Sequence, residues 1–485
     1  MPSAHGFPML NARALWRSAC LAVALFLGSC STLPSINPDL ARQSSVKVRV
    51  EGARGVLSAA QSKEIIDRLR SKSPNTDIFE RHLALEEEIV GSPLTTGNSV
   101  QLLQDGPTTY RAMFAAIEVA KDHINLETYI LEDDEVGQRF AQALIAKQQQ
   151  GVQVNIIRDS VGTLRTPKVF FQALTDSGIN VLEFNPVNPL LARKSWELNH
   201  RDHRKLLIVD GTVAFLGGIN ISSVYSGGSF SQGSRGESIS NSKSYGKSPE
   251  KPAEASLAWR DTDLQLQGPV VAEFQKLFLD TWQKQRGPAL AARNFFPPPK
   301  SVGTQVVRAI GSSPNDPFSL IYATLLSAIG SAETSVLLTN AYFAPDPQLL
   351  AILQAAAARG VDVKLILPSQ TDSWLVFHAG RGYYAQLLRA GVKIYERRGV
   401  ILHSKTALID GVWATVGSTN LDWRSFLHND ELNAVVLGTE FGSQVKAMFD
   451  KDLAASDQIT LEKWQQRPLE MRIKEMFGRV WEYWL

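Results

Sequence analysis

Residues 199–220 read NHRDHRKLLIVDGTVAFLGGIN, and residues 402–420 read LHSKTALIDGVWATVGSTN. In both stretches a His and a Lys stand one residue apart and an Asp-Gly follows: His203, Lys205 and Asp210 in the first, His403, Lys405 and Asp410 in the second. Downstream of each Asp comes an Asn, Asn220 and Asn420, preceded by Gly217 and Gly218 in one copy and by Gly417 and Ser418 in the other. An apolar run that ends at Asp-Gly and resumes beyond it signals a β-hairpin. Side chains two apart on a strand share a face, so each His and its Lys point the same way. The small residues admit close approach of a bound group, and the Asn offers amide donors. Imidazole, ammonium and amide together suit a tetrahedral anion such as a phosphate. A single His-x-Lys strand is commonplace, but matched positions at matched offsets in two copies mark a duplication.

The duplication extends outward from the motifs. GVQVNII at 151–157 matches GVDVKLI at 360–366, and SGINVLEFN at 177–185 matches AGVKIYERR at 390–398. Periodicity predicts, in the first half, helices over 109–121, 136–150 and 166–177 and strands over 124–130, 152–157 and 181–184. The order returns with helices over 317–329, 346–359 and 380–390 and strands over 334–338, 361–367 and 392–395. Each half therefore reads as an α/β unit, a mixed sheet flanked by helices. The first half spans 96–295, closing with a strand over 262–266 and a helix over 270–285. A linker covers 296–316, and the second half spans 317–458. A Ser/Gly-rich run at 222–256 cannot bury a core and reads as a flexible loop within the first half.

The chain has 485 residues, 44% hydrophobic and 20% charged, with a formal net charge of +2. That composition is globular and carries no general field for polyanions, which counts against a nuclease that relies on non-specific phosphate attraction. Arg13 and Arg17, a short apolar stretch and Leu27-Gly28-Ser29-Cys30 read as a secretory signal over 1–29, the apolar stretch being too short to span a bilayer. The two cysteines, Cys20 and Cys30, both lie there, so the rest of the chain has no disulfide and no Cys-based metal site. Residues 30–95 read as a tether with one helix over 59–70, without chemistry, packing on the first half. The last segment, 459–485, reads as an amphipathic helix, either interfacial in a membrane or packed on the body through its apolar stripe.

The two HxKxxxxD motifs, with their GGxN and GSxN elements, resemble those of the phospholipase D superfamily, and the surroundings are most similar to bacterial cardiolipin synthase-type phosphatidyltransferases. The likeness covers residues 97–464, including GNSVQLLQDGPTTY at 97–110, INLETYIL at 124–131, GVQVNIIRDSVG at 151–162, WRDTD at 259–263 and NAYFAPD at 340–346. The resemblance implies two α/β halves facing each other around a pseudo-two-fold axis, with one shared active site. It implies a nucleophilic His203 that becomes a phosphohistidine, and His403 as acid and base. Lys205, Lys405, Asn220, Asn420 and Ser418 would hold the nonbridging oxygens, with Gly218 standing where the second half has Ser418. Asp261 would support His203 and Glu431 would support His403, while Asp210 and Asp410 complete the catalytic motifs in an orienting role. No metal and no cofactor are implied; His200 and His203 would face opposite ways on a strand, and no Cys or Glu-x-x-His cluster is present.

The Leu-Gly-Ser-Cys sequence likewise resembles a bacterial lipoprotein signal, so Cys30 would be lipidated and the protein held at the cell envelope, facing the periplasm on the inner or outer membrane. The expected activity is synthesis of cardiolipin from phosphatidylglycerol, with phosphatidylglycerol or phosphatidylethanolamine as donor. The expected partners are these phospholipids and the membrane surface, with no nucleic acid. The rivals are a hydrolytic phospholipase D of the envelope, a nuclease, and a non-catalytic envelope-binding protein that retains the fold.

Overall fold

Asp-Gly closes both motif hairpins. In the computed structural model, which describes residues 48–73, 75–188, 199–227 and 257–481, Lys205–Val209 pairs antiparallel with Val213–Gly217, and Lys405–Ile409 with Trp413–Gly417. Asp210 and Gly211 have φ of 51° and 61°, Asp410 and Gly411 of 49° and 69°, the left-handed pair that matches hairpin twist.

Each hairpin sits inside a mixed sheet built by the same succession of pairings. In the first half, Asn180–Phe184, Gln153–Asp159 and His123–Thr128 are parallel neighbours; then Lys205–Val209, Val213–Gly217, Asp263–Gln267 and Leu94–Leu103 follow antiparallel. In the second, Lys393–Arg397, Asp362–Pro368 and Ser335–Asn340 are parallel; Lys405–Ile409, Trp413–Gly417, Asn429–Leu437 and Gln305–Ser312 follow antiparallel. Leu94–Leu103 also pairs with Gln305–Ser312, which joins the two sheets. Both faces of the motif strands are buried, which is why KLLIV and KTALI lack a polar face. Leu206 and Ile208 enter one apolar cluster with Phe274, Leu408 and Phe441, whereas Leu207 and Val209 enter another with Phe140.

Four expectations need correction. Residues 296–316 are not a linker throughout, because Gln305–Ser312 is an interior strand, buried from Val306 to Ile310, that follows directly on a Pro-rich stretch. The N-terminal segment holds two helices, Ala59–Ser71 and Ile78–Val90, and the second packs on the second half rather than the first. Glu86 on that helix binds the Arg308 guanidinium at 2.9 Å and accepts from the Trp413 indole, and His82 meets Ser327. The expected helix over 380–390 is two short helices, Trp374–Arg381 and Tyr384–Arg389, and the terminal segment is Leu461–Gln465 followed by Leu469–Val480. The signal sequence, Cys30 and residues 228–256 of the Ser/Gly-rich run lie outside the described residues. Among the described residues no helix is long and apolar enough to cross a membrane.

Candidate active site

The backbone that leads into each motif is paired with the other half. Arg201–Asp202 runs parallel to the start of Asn429–Leu437, and Ile401–Leu402 runs parallel to Trp259–Arg260. The His203 N–H donates to the Asp430 carbonyl at 2.9 Å, and the His403 N–H to the Arg260 carbonyl at 2.7 Å. The residue after each of those carbonyls is an acid. His203 Nδ1 therefore meets both Glu431 oxygens at 3.0 and 3.1 Å, and His403 Nδ1 meets Asp261 Oδ2 at 2.6 Å. This reverses the expected pairing of Asp261 with His203 and Glu431 with His403. A duplicated sequence reads identically whether its acids serve their own half or the other, and the exchange of short strands decides for the other. With Nδ1–H donated to a buried carboxylate, each ring presents Nε2 for chemistry.

Both imidazoles open on one cleft of about 360 Å³, lined also by Tyr129, Trp259, Tyr342, Asn220 and Asn420. Tyr129 meets the His203 ring edge-on at 5.1 Å; Trp259 and Tyr342 flank His403 at 5.0 and 5.8 Å. Lys205 and Lys405 lie deeper, each donating to the carbonyl of its own motif His and facing the ring of Tyr129 or Tyr342. Asn220 is tied to the Ile130 N–H and the Tyr225 hydroxyl, whereas the buried Asn420 side-chain oxygen has no partner among the described residues.

Two groups of expected site residues lie elsewhere. Asp210 and Asp410 sit at the far ends of their strands, about 16 Å from the lysines at 3.3 Å per residue. The Asp210 carboxylate accepts the N–H groups of Lys121, Asp122 and His123, and Asp410 accepts those of Glu333, Thr334 and Ser335. They fasten each hairpin turn to the neighbouring strand and do not join the imidazoles. Ser418 and Gly218 do not line the cleft and instead adjoin the two carboxylates. The Ser418 hydroxyl donates to Glu431, and a Cβ at Gly218 would stand 2.3 Å from an Asp261 oxygen. A glycine is thus required there to admit the Asp261 carboxylate.

Burial pushes both imidazoles below the ordinary range, His203 the further, with Lys205 the next cause at His203 and Lys405 at His403; Asp261 works the other way at His403. Burial also lowers Lys205 to about 7, against the pull of Glu431, and Lys405 to about 8, against that of Asp261. Glu431 is raised by burial to about 7, opposed by Lys205. A neutral His203 over two poised ammonium groups suits nucleophilic attack at an anionic phosphorus, while Asp261 favours the protonated form of His403. The motif reading missed Tyr129, Trp259, Tyr342 and Arg424 on the cleft wall; the aromatics lie in segments already quoted, but nothing in their spacing marks them as a wall.

A family model described as "Cardiolipin synthase, PLD-like domain" matches residues 113–226 and 325–453. The chain is 35% identical over 401 residues to the cardiolipin synthase of Geobacillus sp. (strain WCH70), covering 82% of this chain and 74% of that protein. It is 34% identical over 444 residues to the cardiolipin synthase of Geobacillus thermodenitrificans (strain NG80-2), covering 90% and 82%. Among solved structures, the phosphatidylserine synthase of Haemophilus influenzae Rd KW20 matches with a TM-score of 0.58 at 12% identity, covering 82% of this chain and 99% of that one, a likeness of fold. The chain therefore belongs to the phospholipase D superfamily of phosphatidyltransferases and, within it, to the cardiolipin synthase family.

Proposed function

We propose that the protein makes cardiolipin by transferring a phosphatidyl group to the free glycerol hydroxyl of phosphatidylglycerol. The observation that carries this is the pair of imidazoles on one cleft, each oriented through Nδ1 by a carboxylate of the opposite half. His203 Nε2 attacks the donor phosphorus while His403 gives a proton to the departing alcohol. The phosphorus–oxygen bond to that alcohol breaks and a phosphorus–nitrogen bond forms. His403, now neutral, takes the proton of the incoming hydroxyl, whose oxygen displaces His203 from phosphorus. The assignment of His203 as nucleophile is supported by its greater displacement from the imidazolium form, and that of His403 as acid by the short contact to Asp261. Lys205 and Lys405 stabilise the nonbridging oxygens as charge builds. Asn220 and Asn420, on the cleft wall, complete the set around those oxygens. The donor is phosphatidylglycerol or phosphatidylethanolamine, and a lipid anchor at Cys30 keeps the enzyme in the envelope, on a membrane where both substrates are concentrated.

The test is mass spectrometry of the lipids formed when the purified protein meets vesicles of phosphatidylglycerol and phosphatidylethanolamine, beside the His203→Ala and His403→Ala proteins. Cardiolipin from the parent alone supports the transferase, and the released alcohol, glycerol or ethanolamine, identifies the donor. An acid-labile phosphatidyl group trapped on the parent protein, and absent from His203→Ala, supports the phosphohistidine. Phosphatidic acid as the sole product would make the protein a hydrolase.

A further inference from the structure

The helix Leu469–Val480 is mounted with its polar side inward. Glu475 is buried and bound to Arg467 at 2.7 Å, and Gly478 lies so close to the helix Trp374–Arg381 that a Cβ would stand 2.6 Å from the Ala379 nitrogen. Leu469, Ile473, Met476 and Val480, spaced along one face, are 71%, 53%, 65% and 71% exposed, with Phe477 and Trp481 beside them. A helix that merely completes a protein core buries such a stripe. This one turns it to the surface, which also corrects the reading in which the stripe packs on the body.

The apolar face continues to the active-site cleft. Phe477 lies 6.2 Å from Trp374, itself exposed, and Trp374 directly follows Asp372 and Ser373 on the cleft wall. The turn holding exposed Val161 and Leu164 also abuts the cleft, since Gly162 packs against the backbone of Tyr129. Arg472 and Arg479, both exposed, lie on the same helix. An apolar face and cations on one helix are the chemistry of an anionic lipid surface.

We propose that the helix Leu469–Val480, together with Trp374, docks the protein on an anionic bilayer and sets the mouth of the cleft against the headgroups. The binding claim stands on the exposed face alone, whereas its consequence for turnover rests on the phosphatidyl-transfer reading above. The occupant is a lipid surface rather than a second copy, because the face runs into the cleft and a dimer seated there would block it.

The experiment uses the full chain carrying Cys30→Ser, so that no lipidation holds it, with and without Ile473→Glu, Met476→Glu and Val480→Glu together. Flotation with vesicles of equal parts phosphatidylglycerol and phosphatidylethanolamine is expected to show binding that falls about tenfold or more in the substituted protein. The parent's tryptophan fluorescence is expected to be quenched by lipids brominated on the acyl chain, a reading that needs no substitution. Turnover of a short-chain donor and acceptor dispersed as monomers is expected to be unchanged, while turnover on vesicles falls with binding. Equal flotation of both proteins overturns the proposal, as does absent quenching in the parent. A substitution that only converts a dimer to a monomer in sedimentation, without loss of vesicle binding, also overturns it. Absence of turnover in both proteins, with binding still lost in one, would sink the transfer reading and leave the docking surface standing.

Discussion

His203 and His403 are equivalent in sequence and inequivalent in environment. His203 shares Glu431 with the Ser418 hydroxyl and the Asn429 amide, whereas His403 meets the shorter Asp261 beside Gly218. Substituting either acid by its amide is expected to lower kcat about 10- to 100-fold, as for other partners that orient a reactive imidazole. The two losses should differ in kind. With a donor whose leaving alcohol needs no proton, such as a nitrophenol ester, the effect of Asp261→Asn should shrink, because His403 then has less to do. The effect of Glu431→Gln should persist, because His203 still attacks. Steady-state kinetics on the two donors checks this, and the opposite pattern would exchange the nucleophile and acid roles of the two histidines. The lysines set the pH profile. With Lys205 at about 7 and Lys405 at about 8, rising pH removes the positive charge that receives the phosphate, and loss of the His403 proton acts in the same direction. The kcat/KM of the free enzyme is therefore expected to fall as pH rises through that interval. The kcat limb should lie higher, since a bound anionic diester favours the charged ammonium. A kcat/KM that stays flat well above pH 8 would show that the lysines do not titrate as their burial implies.

At the scale of elements, three segments meet on one buried carboxylate. Asp452, on the helix Thr439–Ala454, binds Arg260 at 2.8 and 3.2 Å and Arg397 at 3.1 Å, all within the interior. This joint fixes Trp259–Arg260, the strand that carries Asp261 to His403, to the strand Lys393–Arg397 of the second sheet. Asp452→Asn leaves two guanidinium groups facing a neutral partner in the interior and is expected to destabilise by about 3–5 kcal/mol. Urea unfolding reads that loss, and a change within a few tenths of a kcal/mol would mean water reaches the joint. Such long-range joints are where reading the sequence stops. The motif hairpins and most of the flanking strands and helices were legible, because Asp-Gly turns and apolar periodicity are local signals. Gln305–Ser312 was not, because a strand just after FPPPK borrows the look of a linker. Ile78–Val90 was missed although its apolar spacing is helical, since its partners, Trp413 and Arg308, lie far along the chain. The crossed carboxylates were invisible for the reason already given: duplication conserves the reading under exchange.

At the scale of the whole molecule, exchange of this sort leaves little that either half can complete alone. Leu94–Leu103, at the start of the first half, hydrogen-bonds to Asp263–Gln267 and to Gln305–Ser312, so one strand belongs to both sheets. Phe274 and Phe278 from the first half share an apolar cluster with Phe441 and Phe449 from the second, and the described residues fall within one compact unit. A chain with two sheets and two hairpins would ordinarily be expected to unfold as two domains, each with its own transition. Here separation would expose the shared cluster and strip each His of its acid, so the halves should unfold together. Calorimetry is expected to show one transition, with calorimetric and van't Hoff enthalpies in agreement. Phe274→Ala in one half and Phe441→Ala in the other are each expected to destabilise by about 3–5 kcal/mol and to lower that same transition. Two resolved transitions, with each substitution moving only one of them, would show that the halves are independent and that the crossed carboxylates form only on docking. A single transition moved by both would mean that the active site and the fold are one cooperative structure, in which neither imidazole is oriented until both halves are in place.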